Sequence, residues 1–167
     1  SNRYVFVKDA GITWQEARDD ADQRGGHLAT VNTHEEWNTI LDLYRAEDGN
    51  GAWLGGTDEN NEGQWEWVTG EPWNEDVDYW SEYQGPQPDN SQGIEHYLEI
   101  WYYNEEWNDR ANDSGQPQNG YILEINGYSI TNNLNTNPLN PDSDGDGLTD
   151  GYEVNTSSTR SEERRVG

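Results

Sequence analysis

Residues 33–56 read THEEWNTILDLYRAEDGNGAWLGG, and two structural periods meet inside them. Thr33, with Glu36 three residues on, has the form of a capping box, in which hydroxyl and carboxylate each satisfy a backbone N–H at a helix start. Trp37, Ile40, Leu41 and Tyr44 then recur at helical spacing, which predicts an amphipathic helix. Gly49–Gly51 ends it, and Ala52–Gly55 reads as a strand. The helical period thus gives way to the period of a sheet within about one turn.

Upstream, Thr13-Trp14-Gln15-Glu16 repeats the capping-box form and predicts a first helix with Trp14, Ala17 and Ala21 on one face. Gly25-Gly26 supplies the backbone freedom that stops it. Arg3–Lys8 alternates as a strand should, and Leu28–Val31 reads as a short one. Downstream, Gln64–Val68, Tyr97–Tyr103 and Tyr121–Ile125 read as strands. Between Thr69 and Ile94 lies a long aperiodic stretch rich in Gly, Pro, Asn and Asp. Such a loop inside a compact domain is functional or disordered, and Trp73, Tyr79, Trp80 and Tyr83 argue against disorder.

The chain has 167 residues, a formal net charge of −25, no Cys, no Met and nine Trp. Length allows one ordinary domain and a small appendage. So acidic a chain repels phosphate backbones, which excludes nucleic acid as a partner. No apolar run is long enough to insert into a membrane, and no signal-peptide pattern stands at Ser1. Without Cys there are no disulfides, thiolate metal sites or thiol catalysis. Low hydrophobicity with high charge favours disorder, but twenty aromatic residues in all, nine Trp, ten Tyr and Phe6, supply a core. Crowded carboxylates call for divalent cations or for a solvated, salt-adapted surface. The three His (27, 34 and 96) suggest no Ser-His-Asp set, and paired carboxylates among 34 acids discriminate nothing, so an enzyme is not expected.

Several words, in order, resemble one family. Gly25-Gly26-His27-Leu28-Ala29-Thr30-Val31, Trp53-Leu54-Gly55-Gly56, Glu62-Gly63-Gln64-Trp65-Glu66-Trp67, Gln87-Pro88-Asp89 and Trp107-Asn108-Asp109 are similar to successive motifs of C-type lectin-like domains. The resemblance spans roughly Tyr4 to Glu124. It implies an α+β fold with two helices, small antiparallel sheets and a long calcium-binding loop over residues 1–127. It also implies that the usual disulfide positions fall on Ala21 with Leu123 and on Tyr97 with Asn112, as in Cys-free bacterial forms.

The same resemblance assigns a Ca²⁺ site to Gln87, Asp89, Glu95, Asn108 and Asp109. All five offer oxygen, the donor a hard cation takes. A cis Gln87–Pro88 peptide is expected, since cis is affordable only before Pro. In such lectins two adjacent sugar hydroxyls complete the ion's coordination. The order Gln-Pro-Asp goes with galactose-type ligands, but Ser91 stands where an aromatic platform is usual, which leaves Trp73, Tyr83 or Trp80 as a stacking face. Trp53, Trp65, Trp67, Trp101 and Trp107 read as core. Asp58, Glu62 and Asn90, with His96, match an auxiliary calcium site in part. Their plainer reading is an Asp-Glu turn on a solvated face.

From about Ile130 the composition shifts to Asn, Pro, Asp and Gly, with a boundary at Gly127–Asn133. Asp142, Asp144, Asp146, Leu148, Asp150 and Glu153 stand at the ligand positions of a twelve-residue calcium loop, with Gly147 at its sharp turn. Pro141 argues against an incoming helix, so residues 128–156 resemble a linker and a thrombospondin type 3-like repeat. One repeat cannot bury a face alone, and the absence of Met at position 1 suits an excised piece. Residues 157–167 turn basic and read as a disordered tail.

The expected function is an extracellular, secreted or cell-surface glycan-binding module serving adhesion. The alternative is a lectin-like domain that binds a protein or ice.

Overall fold

A computed structural model describes residues 2–113 and 119–127. The expected calcium loop at 142–153 and the tail at 157–167 lie outside the described residues.

Both capping boxes form. Thr13 accepts from the Glu16 amide and opens α1 (Trp14–Gln23). Thr33 does the same with Glu36 and opens α2 (His34–Ala46). The strands are β1 (Arg3–Lys8), β2 (His27–Leu28), β3 (Ala52–Thr57), β4 (Glu66–Trp67), β5 (Glu95–Ile100), β6 (Trp107–Ala111) and β7 (Gly120–Ile125). Their order is β1-β7-β3-β5-β6, with β2 paired to β7 and β4 to β3. Pairing is antiparallel except between β3 and β7, which meet in parallel at Trp53 and Tyr121.

Alternation along the strands sorts side chains between two helices. Trp53, Tyr121 and Leu123 join Trp14, Ala17 and Ala21 of α1. Leu54, Ile100 and Ile122 join Trp37, Ile40 and Tyr44 of α2. Two indoles then hydrogen-bond across the layers: Trp14 Nε1 donates to Leu54 O at 2.7 Å and Trp53 Nε1 to Ile12 O at 2.8 Å. Gly55 is required where β3 crosses β2, since a Cβ there would lie 2.6 Å from Leu28 O.

Packing and hydrogen bonds occupy the places where the resemblance puts disulfides. Ala21 and Leu123 lie in one buried cluster. Gln15 spans the other pair, its amide N–H bonded to Asn112 Oδ1 at 3.1 Å and its side chain to the Tyr97 hydroxyl at 3.2 Å.

Three strand readings need correction. The strand expected over Tyr97–Tyr103 starts two residues earlier, at Glu95, and stops at Ile100. A tight turn follows, closed by Glu105 N to Trp101 O and Trp101 N to Glu106 O, with Glu105 in the left-handed region (φ 63°). The strand at Gln64–Val68 shrinks to Glu66–Trp67, and that at Leu28–Val31 shifts to His27–Leu28. The sequence reading also missed that Trp107-Asn108-Asp109 sits on a strand, β6.

Candidate functional site

The long loop is tied to β6 by backbone. Trp107 donates its N–H to Tyr79 O at 2.7 Å and accepts from Ser81 N at 2.9 Å; Gln87 N then donates to Ser81 O at 2.9 Å. Around Trp107 pack Trp37, Trp67, Trp73, Tyr79 and Trp80, mostly edge-on. This aromatic anchor lies under the loop and fixes where Gln87-Pro88-Asp89 emerges. The Gln87–Pro88 peptide is cis, as expected.

Past Pro88 the loop curls onto β6. The buried Asp109 carboxylate accepts from Asp89 N at 3.1 Å and Asn90 N at 2.7 Å. Ser91 N donates to Asp89 Oδ1 at 3.0 Å and to Glu95 Oε2 at 3.1 Å. Asn90 and Gln92 both adopt positive φ (44° and 59°) to make this curl. As a result one oxygen each from Asp89, Glu95 and Asp109 falls within 4.8 Å of the others. Three acids from two distant stretches thus converge without a positive side chain among them.

Burial makes that convergence costly for the charged forms. Loss of water, then the neighbouring Asp109 and Asp89 charges, push the Glu95 carboxyl up to about 7. Burial also raises Asp109, opposed by the two loop amides. Two amides line the cavity beside these acids. Asn108 donates to Glu99 Oε1 at 2.9 Å and to the Asp109 carbonyl, so its amide oxygen is the atom left for a cation. Gln87 Oε1 is shielded and accepts no hydrogen bond. A buried acceptor without a donor is unfavourable unless something charged or protic meets it. Asp89, Glu95 and Asp109 are therefore brought together, while Gln87 and Asn108 line the same cavity as Asp89 and Glu95; all five offer oxygen, which fits Ca²⁺.

Beside them opens a cavity of about 360 Å³, whose walls include Gln87, Asp89, Glu95, Glu99 and Trp101. Trp73, expected as a stacking face, is not on its walls. It stacks on Trp67 with centroids 4.3 Å apart, inside the aromatic anchor. Trp80 is likewise off the walls, packed on Trp65 and Trp107, and Tyr83 is exposed but is not among the wall residues, its ring resting against Trp101 and Tyr103. Trp53, Trp67 and Trp107 are core, as expected, whereas Trp65 and Trp101 are only half-buried.

The auxiliary set also gathers. His96 Nδ1 lies 3.0 Å from the buried Asp58 carboxylate and 3.4 Å from Glu62, and Asn90 donates its side-chain amide to Glu62. The Asn90 nitrogen faces this set while its oxygen accepts from Glu95 N at 3.1 Å. Asn90 thus ties the two groups together by hydrogen bonds to both.

Sequence reasoning missed Glu99 and Arg110. Glu99 is fully buried on β5, where burial pushes its carboxyl up to about 8 against the pull of Arg110 and Asn108. An acid set between Leu98 and Ile100 in an apolar run was the available signal.

The family model for the Lectin C-type domain matches residues 10–122. Halomucin of Haloquadratum walsbyi is 30% identical over 140 residues, 75% of this chain and 1% of that protein. C-type lectin domain family 4 member F of Mus musculus is 33% identical over 119 residues, 70% of this chain and 20% of that one. The chain therefore spans a small part of these relatives' lengths. Among solved structures, the mouse scavenger receptor C-type lectin carbohydrate-recognition domain superposes with a TM-score of 0.63 at 25% identity, covering 77% of this chain and 91% of that one.

Proposed function

Since the chain belongs to the C-type lectin domain family, we propose that residues 1–127 form a calcium-dependent carbohydrate-binding module of the galactose type. The observation that carries this is the all-oxygen donor set drawn from the loop, from the start of β5 and from β6. It includes the shielded Gln87 Oε1, which lacks a hydrogen-bond donor. Gln87, Asp89, Glu95, Asn108 and Asp109 would hold the ion. When bound, calcium supplies open coordination positions for two adjacent sugar hydroxyls.

The chain's own groups do the rest. Asp89 and Glu95 would accept hydrogen bonds from sugar hydroxyls, and the Gln87 amide N–H₂ would donate one to a hydroxyl oxygen. Asp109 holds the loop in register through the Asp89 and Asn90 amides. Glu99 orients Asn108 from behind, the part an outer residue plays around a metal. These are binding roles.

An extracellular setting, attachment to a larger adhesin and a calcium-binding spacer at residues 142–153 belong to the same proposal. The spacer rests on the spacing of its acids alone. No helix among the described residues is long and apolar enough to cross a membrane.

The test is calorimetric titration of metal-stripped protein with calcium, then with galactose and with mannose. Binding of galactose only after calcium, reversed by a chelator, supports the proposal. Sugar binding that ignores the chelator overturns the mechanism. A protein that takes up calcium but no sugar instead supports a protein or ice ligand.

A further inference from the structure

We propose that the cavity receives two linked neutral sugar residues, the second lying against a wall made by Trp101, Tyr102 and Tyr103. This rests on the carbohydrate reading above and extends it from a monosaccharide to an oligosaccharide.

The wall exists because β5 ends abruptly. The turn after Ile100 sends three consecutive rings to the rim of the cavity that Gln87, Asp89 and Glu95 also line. Tyr103 is 52% exposed, and its neighbour Tyr83 is 48% exposed. Large rings grouped at a surface mark interaction sites, whereas scattered ones do not. They are also held in place by one another. Trp101 meets Tyr103 edge-on at 5.2 Å and Tyr83 at 5.8 Å, and Tyr102 lies 4.0 Å from Tyr103. A wall so braced loses little freedom when a ligand lands on it.

Chemistry selects the occupant. One face of a pyranose carries C–H groups that suit the negative face of an aromatic ring, while phenol and indole edges reach hydroxyls. Charge then selects neutral sugars. Asp89, Glu95 and Asp113 line the cavity. Arg110 is engaged already, 3.1 Å from Asp113 and 3.8 Å from Glu99. Carboxylated or sulfated sugars would meet this acidic rim unfavourably. The volume, about 360 Å³, lies within the usual range for small-molecule sites.

The experiment titrates the full chain, in calcium, with methyl galactoside and lactose, and with methyl mannoside and mannobiose. We expect the disaccharide of the preferred pair to bind about tenfold more tightly than its monosaccharide. Trp101→Ala and Tyr103→Ala should each erase most of that gain and leave monosaccharide affinity within about twofold. Asp89→Ala should abolish both. Tyr103→Ala alters an exposed position, so it carries the test should Trp101→Ala misfold.

Equal affinity for monosaccharide and disaccharide in both pairs, or a gain that survives both aromatic variants, overturns the subsite and leaves the calcium lectin standing. Tighter binding of galacturonate than of galactose overturns the neutral class. Failure of every sugar to bind in calcium overturns the function itself, and the subsite with it.

Discussion

Asp109 on β6 accepts the backbone N–H of Asp89 at 3.1 Å, joining the loop motif to the strand motif through one carboxylate. The second oxygen takes the Asn90 amide at 2.7 Å. Asp109 is thus both a candidate ligand and the residue that sets the loop's position. Asp109→Ala is expected to lower calcium affinity at least a hundredfold and to loosen the loop as well. Calorimetry reads the first effect, and amide exchange at Asp89–Ser91 reads the second. Calcium affinity within threefold of the parent protein would remove Asp109 from the site.

Glu99 provides a subtler test. It touches Asn108 at 2.9 Å without belonging to the five proposed donors. Glu99→Gln keeps the shape but changes the group that receives the Asn108 N–H. Outer residues of this kind typically contribute 10–100-fold to metal affinity. We expect a loss of about tenfold in calcium affinity with thermal stability in calcium little changed.

The raised Glu95 carboxyl fixes the sign of the pH dependence. Its value of about 7 in the metal-free fold exceeds the 4.5 of an ordinary glutamate. Between those values the native state binds more protons than the unfolded chain, so this group's contribution to stability falls as pH rises. Metal-free protein should therefore lose melting temperature between pH 5 and 8, and Glu95→Gln should flatten that slope. Calcium affinity runs the other way, strengthening as pH rises through about 7 because the ligands must shed protons. Melting curves at several pH values, with and without calcium, check both signs.

His96 occupies the space between Asp58 and Glu62, with Nδ1 3.0 Å and 3.4 Å from their oxygens. Imidazole is a poor partner for a hard cation. His96→Asp should raise the number of calcium ions bound by one, counted by titration against the parent chain. An unchanged stoichiometry would mean that the Asp58 turn is only a turn.

Trp107 carries the loop on its backbone and a ring of aromatics on its side chain. Trp107→Ala should cost about 3–5 kcal/mol in denaturant unfolding, as for large buried aromatics elsewhere. Calcium binding should weaken in the same variant, because Trp73, Tyr79 and Trp80 lose the ring that seats the loop, although the backbone bonds to Tyr79 and Ser81 survive the substitution.

Some of this was local enough to be read directly. Thr13 with Glu16 and Thr33 with Glu36 close their hydrogen bonds within one turn, so both helix starts follow from residue spacing. The donors Gln87, Asp89, Glu95, Asn108 and Asp109 were visible as oxygen-bearing side chains in words of a known order. The convergence of Asp89, Glu95 and Asp109 was not, because it depends on Trp107 seating the loop on a strand about twenty residues away. Likewise nothing in the composition distinguishes Trp73, stacked in the anchor, from Trp101, placed at the cavity rim. An indole reads the same in either place. Which one is covered is decided by where β5 stops and what packs above it, and those are properties of the assembled sheet.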